Sequence, residues 1–437
     1  ARRPARGHAV DRSGSGERAM KVLVIGNGAR EHTITWKLAQ SPQSPTLFVA
    51  PGNAGTAQIA ENVPISAEDI PALLAYVQDN AIDFTVVGPE APLAAGIVDR
   101  FEEAGVLAFG PRQNAARIES SKTFAKQIMA AAGAPTAKAN SFDSMTEASA
   151  FVAANEPPFV VKADGLAAGK GVVMAETRHD AIAALRSMLE EKAFGSAGDT
   201  VLIEEWLEGP EVSVFAFVDG EFVSTMTTAC DYKRARDGDL GRNTGGMGSY
   251  SPPPFWNDSL EKQAREQIME PVAAELARSG SPYRGVLYAG VMVTPSWLKV
   301  IEFNCRLGDP ETQVVLPRLH GDLLEIMLRT AKGELSEAEV AWDDSAHVGV
   351  VLASGGYPEQ YATGFPISGM EDIDESTVLF HAGTKPDGDA TLTSGGRVLT
   401  VTARGATIAE ARVNSYENAA KLHFRDCYYR TDIAKDV

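Results

Sequence analysis

The chain is poor in cysteine, in uninterrupted apolar runs and in positive charge. Its three cysteines, Cys230, Cys305 and Cys427, are too scattered for a disulfide framework or a metal-ligand cluster. They fit a reducing, cytoplasmic compartment. No run approaches the roughly 18 apolar residues of a membrane span, so no membrane association is expected. Lys and Arg number 40 against 58 Asp and Glu, a formal net charge of -18. A surface of that sign excludes wrapping a nucleic-acid backbone. It leaves room for a locally basic pocket that takes an anionic small molecule. Internal repeats, coiled-coil heptads and low-complexity tracts are also missing beyond the first residues.

What is present suits a globular protein of two to four domains, since 437 residues exceed a comfortable single core. Residues 1–19 carry five arginines against two acids but no apolar core and no amphipathic face. They read as an appended leader or disordered tail, with the fold beginning at Met20. From there a short apolar run at 21–25 enters Gly26-Asn27-Gly28-Ala29-Arg30-Glu31-His32 and a helix expected through Gln40. The pattern recurs at 47–50 before Pro51-Gly52-Asn53, at 84–87 before Gly88-Pro89-Glu90, and at 107–109 before Gly110-Pro111. Strands spaced by helical segments such as 70–80 predict a parallel open sheet over about 20–120, with ligands at the strands' carboxyl ends.

Further on, a helix over 121–132 closes at Gly133 with Pro135 just beyond. Strands are expected at 158–163 and 172–175 around a glycine loop, then at 201–205, 212–218 and 222–228. A helix over 260–278 precedes strands at 286–293 and 299–303. From about 342, strands at 347–352, 377–380 and 397–402 lead to a helix over 408–422.

Two loops invite misreading. Gly26 and Gly28 have the first spacing of a dinucleotide fingerprint, but Glu31 stands where a third small residue is needed. An adapted phosphate-binding turn, aided by Arg30 and His32, is the favoured alternative to a plain structural turn. The stretch 165–171 lacks P-loop spacing, has Gly171 where a P-loop needs Ser or Thr, and is flanked by strand on both sides. It reads as a phosphate loop of another design or as a hairpin tip.

The segment Lys299-Val300-Ile301-Glu302-Phe303-Asn304-Cys305-Arg306 carries the clearest local chemistry. Alternation sends Ile301 and Phe303 toward a core and sets Glu302 and Asn304 together on the other face. A carboxylate and an amide carbonyl there offer oxygen ligands to a hard divalent ion, and Arg306 can add charge against a phosphoryl group. Taken alone, an edge strand with polar surface residues explains the pattern equally well.

Together the motifs resemble the ATP-grasp enzymes and, among them, the phosphoribosylamine–glycine ligase family. The likeness is carried by Val24-Ile25-Gly26-Asn27-Gly28 with Arg30-Glu31-His32, by Val49-Ala50-Pro51-Gly52-Asn53-Ala54-Gly55-Thr56, and by Val87-Gly88-Pro89-Glu90-Ala91-Pro92-Leu93. Lys162-Ala163-Asp164-Gly165-Leu166-Ala167-Ala168-Gly169-Lys170-Gly171 follows. Then come Asn243-Thr244-Gly245-Gly246-Met247-Gly248, and Glu302 through Arg306 with Gly308-Asp309-Pro310-Glu311-Thr312-Gln313. Phe380-His381-Ala382-Gly383-Thr384 ends the series. Ala29 and Leu307 depart from the usual glycine and phenylalanine.

The resemblance implies an α/β ATP-grasp fold with a Rossmann-like open parallel sheet at 20–121 and an ATP-grasp region at 122–341. A mobile lid is implied at about 137–207, and a smaller mixed β/α domain at 342–437. It implies that Lys122 and Lys162 hold ATP phosphates under a cover formed by 165–171, including Gly165, Gly169, Lys170 and Gly171. Glu204, Glu205 and Leu207 would receive adenine and Glu211 the ribose hydroxyls. Glu302 and Asn304 would bind Mg2+, or Mn2+. Asn243, Thr244, Gly245, Gly246 and Arg306 would border the acceptor carboxylate, with Arg306 and Lys162 catalytic. Gly28, Arg30, Glu31, His32, Asn53 and Glu90 would contact the second substrate. The substrates so implied are glycine, 5-phosphoribosylamine and ATP, joined through glycyl phosphate without a covalent nucleophile. Cys305 is turned away from Glu302 and Asn304 and is not expected to be catalytic. A monomer is expected rather than a stable oligomer.

Overall fold

The computed structural model describes residues 18–167 and 171–437. The leader up to residue 17, and Gly169 and Lys170 of the glycine loop, lie outside the described residues. Arg18, placed in the leader by its sequence, pairs with Asp83 at 2.6 Å.

The first sheet is wholly parallel, in the order Glu61–Asn62, Thr46–Pro51, Lys21–Gly26, Phe84–Val87, Ala108–Phe109. Its central strands are continuous apolar runs because helices cover both faces; Val22, Leu23, Val24 and Ile25 have no exposed surface. Strand order reverses between Lys21–Gly26 and Phe84–Val87, which places a crevice at Gly26 and Gly88.

A four-stranded antiparallel sheet, ordered Ala139–Phe142, Val201–Glu205, Phe159–Ala163, Val172–Ala175, has a core of its own with Ala148, Val161, Leu185 and Ile203. The largest sheet has nine strands. Its main path runs Leu298–Asn304, Arg284–Val293, Glu211–Asp219, Thr227–Asp231, Gly248–Ser251, Ala346–Ala353, Arg397–Gly405, Thr377–His381. The strands beyond residue 342 therefore extend this sheet, through Gly248–Ser251 pairing with Ala346–Ala353.

Three departures from the sequence reading have local causes. The single strand expected at 222–228 is two, Phe222–Val223 and Thr227–Asp231. Between them the Ser224 hydroxyl accepts the Phe217 amide at 3.0 Å, taking a bond the ladder needs. The helix expected over 260–278 spans Asp258–Ala264 and Glu270–Arg278 with a π-turn at Arg265–Met269 between. Pro271, which has no N–H, sits just past that turn. The hairpin Arg234–Arg236 with Leu240–Asn243 had no apolar alternation to announce it. Among the described residues no helix is long and apolar enough to cross a membrane.

Candidate active site

A cleft of about 990 Å³ opens between the four-stranded sheet and the nine-stranded one, with Arg30, Glu90, Ile118 and Glu119 reaching it from the first domain. At its inner end Lys162 projects from Phe159–Ala163. Its Nζ lies 2.8 Å from Glu204 Oε2 and donates to Ile301 O at 3.1 Å. Lys126 takes the other oxygen of Glu204 at 3.1 Å. Lys122 begins the helix Lys122–Ala132 and donates to the carbonyls of Asp164 and Gly165 at 3.4 and 3.3 Å. Burial lowers its pKa, with Glu302 the largest opposing influence. Glu204, expected near adenine, is thus shared by two lysines. Glu205 pairs with Lys299 at 2.6 Å. Leu207 lines the cleft, and its backbone makes no hydrogen bond among the described residues.

Glu211 opens the strand Glu211–Asp219 and is held by a short ion pair to Lys233. Burial opposes the Lys233 charge, but Glu211, Asp231 and Glu302 outweigh it and raise its pKa well above the usual lysine range. Burial pushes the Asp231 pKa up against Lys233, with Glu311, Glu211 and Glu302 adding to the rise.

Glu302 and Asn304 share one face of Leu298–Asn304, as alternation predicted. Ile301 does not enter the core as predicted. A bulge there sets Gly290 opposite Glu302 and Val291 opposite Val300, leaving Ile301 unpaired and half-buried at the cleft. The Glu302 carboxylate has no hydrogen-bond donor among the described residues. Burial raises its pKa, but Lys233, Lys162, Lys122 and Arg306 together hold it below the ordinary range. Asn304 Oδ1 accepts from Arg306 Nη2 at 3.2 Å. Among the described residues no three His, Cys, Asp or Glu side chains cluster as a metal cage. Two oxygen donors beside lysines suit an ion that completes its shell with phosphate and water, as Mg2+ does.

Arg306 is fixed by Glu90 at 3.2 Å and Glu119 at 2.8 Å. Arg30 lies 2.6 Å from Glu31 and donates to Leu307 O at 3.2 Å. Burial acts upward on Glu90, yet Arg306 and Arg30 lower its pKa to about 2. The second oxygen of Glu119 accepts the Cys305 amide at 2.7 Å.

Of the residues singled out from sequence, the cleft gathers Arg30, Glu90, Lys122, Lys162, Gly171, Glu204, Glu205, Leu207, Glu211, Asn243, Thr244, Gly245, Glu302, Asn304 and Arg306. Gly28, Glu31, His32, Asn53, Gly165 and Gly246 do not line it. Glu31 explains part of this. Gly26 has φ +128°, and a Cβ at Gly26 or Gly88 would fall within 2.4 Å of the Glu31 side chain. The carboxylate fills the crevice and accepts the Gly28 amide at 2.7 Å, the donor expected for phosphate. His32 and Asn53 are buried in a joint with the C-terminal segment. His32 Nδ1 accepts the His381 amide at 2.8 Å, and Asn53 Nδ2 donates to His381 O at 2.8 Å. The amides of Thr244, Gly245 and Gly246 are likewise taken, by Lys233 O, Tyr357 Oη and Thr244 Oγ1.

Sequence reasoning passed over Glu119, Lys126, Asp231, Lys233 and Arg397, all of which line the cleft. Lys126 had a signal, since it stands one helical turn after Lys122 on the same face. The others owe their place to distant partners.

Family models for the phosphoribosylglycinamide synthetase N domain, ATP-grasp (A) domain and C domain match residues 20–119, 120–312 and 347–436. A phosphoribosylamine–glycine ligase of Halalkalibacterium halodurans is 51% identical over 414 residues, 95% of this chain and 96% of the relative. The crystal structure of phosphoribosylamine–glycine ligase from Thermotoga maritima superposes with TM-score 0.82 and 32% identity, over 95% of this chain and all (100%) of that one. The biotin carboxylase domain of Hydrogenobacter thermophilus 2-oxoglutarate carboxylase, at TM-score 0.72 and 14% identity over 93% of this chain and 91% of that chain, shares the fold alone. The chain belongs to the phosphoribosylglycinamide synthetase family, the phosphoribosylamine–glycine ligases of the ATP-grasp fold.

Proposed function

We propose that this chain joins glycine to 5-phosphoribosylamine, converting ATP to ADP and phosphate and making glycinamide ribonucleotide for de novo purine biosynthesis. The observation that carries the reading is the gathering of Lys122, Lys162, Glu302 and Asn304 in one cleft. The lysines hold the phosphates, with the segment 165–171 as their cover. The linker with Glu204, Glu205 and Leu207 receives adenine, partly through its backbone, while the two carboxylates stay on their lysines, and Glu211 meets the ribose. Mg2+, with Mn2+ as the alternative, would be held by Glu302 and Asn304 and would neutralise charge at the transferring phosphoryl group.

A carboxylate is a poor acyl donor because attack would expel an oxide-like group. Phosphoryl transfer to glycine gives glycyl phosphate, whose leaving group is phosphate. The amine then attacks the carbonyl. Arg306, aimed by Glu90 and Glu119, and the 243–246 loop border the acyl group, while the cleft walls exclude water. No protein nucleophile is needed, and the nearby thiols are poorly suited to be one. Burial pushes Cys230 up to about 12 and Cys305 well above the ordinary thiol range.

Glycine labelled with heavy oxygen in its carboxylate should pass one label into inorganic phosphate at each turnover. Unlabelled phosphate from complete turnover would rule out the acyl phosphate.

A further inference from the structure

Arg397 begins the strand Arg397–Gly405 and reaches the cleft from the C-terminal segment. Its Nη1 donates to Gly245 O at 2.6 Å and Asp309 O at 3.0 Å, and lies 3.1 Å from Asp309 Oδ1. Three acceptors converge on one nitrogen, so the guanidinium plane is fixed. That plane lies flat over Gly245, where a Cβ would come within 2.9–3.2 Å of Cζ, Nη2 and Nε. A Cβ there would push the guanidinium from this position. The opposite edge, Nε and Nη2, has no hydrogen-bond partner among the described residues, and the side chain is 22% exposed.

The other cleft cations are differently disposed. Glu31, Glu90 and Glu119 occupy Arg30 and Arg306. Glu204 holds Lys126 and Lys162, and Glu211 holds Lys233. Lys122 rests on carbonyls at the lid end. Arg234 donates to Gly241 O and has no second side-chain anchor among the described residues. Arg397 thus combines a fixed plane with an open two-donor edge, the geometry that grips a phosphate in a bidentate manner.

Its location selects the ligand. Asp309 Oδ2 lies 3.3 Å from the Cβ position of Gly28, so Arg397 stands where the first-domain turn, the 243–246 loop and the C-terminal strand meet. Arg30 of the first domain lies close enough to both Arg306 and Asp309 to feel their charges, which links this edge to the Arg306 region. We infer that the Nε/Nη2 edge of Arg397 binds the phosphomonoester of the amine substrate, which rests on the function proposed above.

The test uses the full chain and its Arg397→Gln, Arg397→Lys, Gly245→Ala and Arg234→Gln variants. Affinity for ribose 5-phosphate and for ribose is measured by calorimetry or inhibition, alongside the KM values for ATP, glycine and phosphoribosylamine. In Arg397→Gln, ribose 5-phosphate affinity should fall at least about tenfold and the phosphoribosylamine KM should rise in step. Ribose affinity and the KM values for ATP and glycine should stay within about twofold. Arg397→Lys, which keeps the charge but loses the fork, should fall between. Gly245→Ala should also lower ribose 5-phosphate affinity while sparing that for ribose, by displacing the plane, and this pair of affinities decides the matter if Arg397→Gln fails to fold. Unchanged ribose 5-phosphate affinity, a rise in the glycine KM instead, or an equal loss in Arg234→Gln would overturn the inference. Failure of the unaltered chain to form glycinamide ribonucleotide would overturn the proposed function and this inference together. Normal product formation with an unchanged phosphoribosylamine KM in the variants would overturn this inference alone.

Discussion

Glu302 and Glu119 illustrate two kinds of carboxylate at the residue scale. Glu302 has lysines around it and no hydrogen-bond donor among the described residues, so its oxygens remain available to a metal. Replacing it with glutamine keeps the volume and removes the charge. Turnover should fall roughly 10²–10³-fold if about 3–4 kcal/mol of transition-state stabilisation is lost. Nucleotide affinity measured without metal should change much less. Near-normal single-turnover chemistry with unaltered magnesium dependence would show that Glu302 is not a ligand. Glu119 instead uses both oxygens on the protein, one on Arg306 and one on the Cys305 amide. A glutamine can satisfy one of these donors but turns an N–H toward the other. We expect Glu119→Gln to lower kcat about 10–100-fold, the worth of one hydrogen bond to a charged group. The effect should be non-additive with Arg306→Lys. Simple additivity of the two would mean that Glu119 does not act through Arg306.

The element that matters most at the next scale is the helix Lys122–Ala132, which presents Lys122 and Lys126 one turn apart. Its start is fixed twice. Ser121 Oγ accepts the Phe124 amide at 3.1 Å and donates to Asp164 Oδ2 at 3.1 Å, while Asp164 Oδ1 accepts the Thr123 amide at 2.6 Å. The cap therefore ties the helix start to the turn that begins the glycine loop. Ser121→Ala should cost about 1 kcal/mol of stability, read as a lower urea midpoint, because a helix donor loses its partner. It should also raise the ATP KM by moving Lys122. A lowered midpoint with an unchanged ATP KM would separate the cap from phosphate binding. The bulge at Ile301 makes a similar point. One unpaired residue shifts the register of Leu298–Asn304 at the cleft, ahead of Glu302 and Asn304 on their common face.

At the scale of the whole molecule, the first domain and the last segment are joined through a histidine pair. His32 packs edge-on against Phe380 and His381, with ring centroids 5.8 and 5.6 Å away. Burial and the neighbouring His381 lower the His32 pKa to about 3, and burial lowers that of His381 to about 4. Unfolded histidines titrate near 6.5. Below that value the unfolded chain takes up protons that the folded joint refuses. Its stability contribution is complete above about pH 6.5 and is lost as pH falls toward 4 and 3, by up to about 1.4 kcal/mol per pH unit for each histidine. His32→Asn retains an acceptor for the His381 amide but cannot be protonated. The stability difference between pH 7 and pH 5, taken from urea midpoints, should shrink by about 2 kcal/mol in that variant. Equal losses in variant and parent would show that His32 does not titrate on unfolding.

The amino-acid sequence by itself determined the elements whose signal is local. The strands around 21–25 and 84–87 are apolar throughout because both faces are covered, and the helix after Ser121 has its cap and its terminal glycine within a dozen residues. The alternation that pairs Glu302 with Asn304 is equally local, and the ordered motifs place the chain in its family. Only the tertiary structure decided which polar residues reach the cleft. Gly245 and Arg397 meet across 152 positions, and His32 and His381 across 349. Nothing in either neighbourhood marks the other. Glu31 and His32 share one motif with Arg30, yet Glu31 fills a crevice and His32 seals a joint while Arg30 faces the cleft. A motif records that side chains are needed, but burial and partners assign their tasks, and those arise from packing between segments distant in the chain.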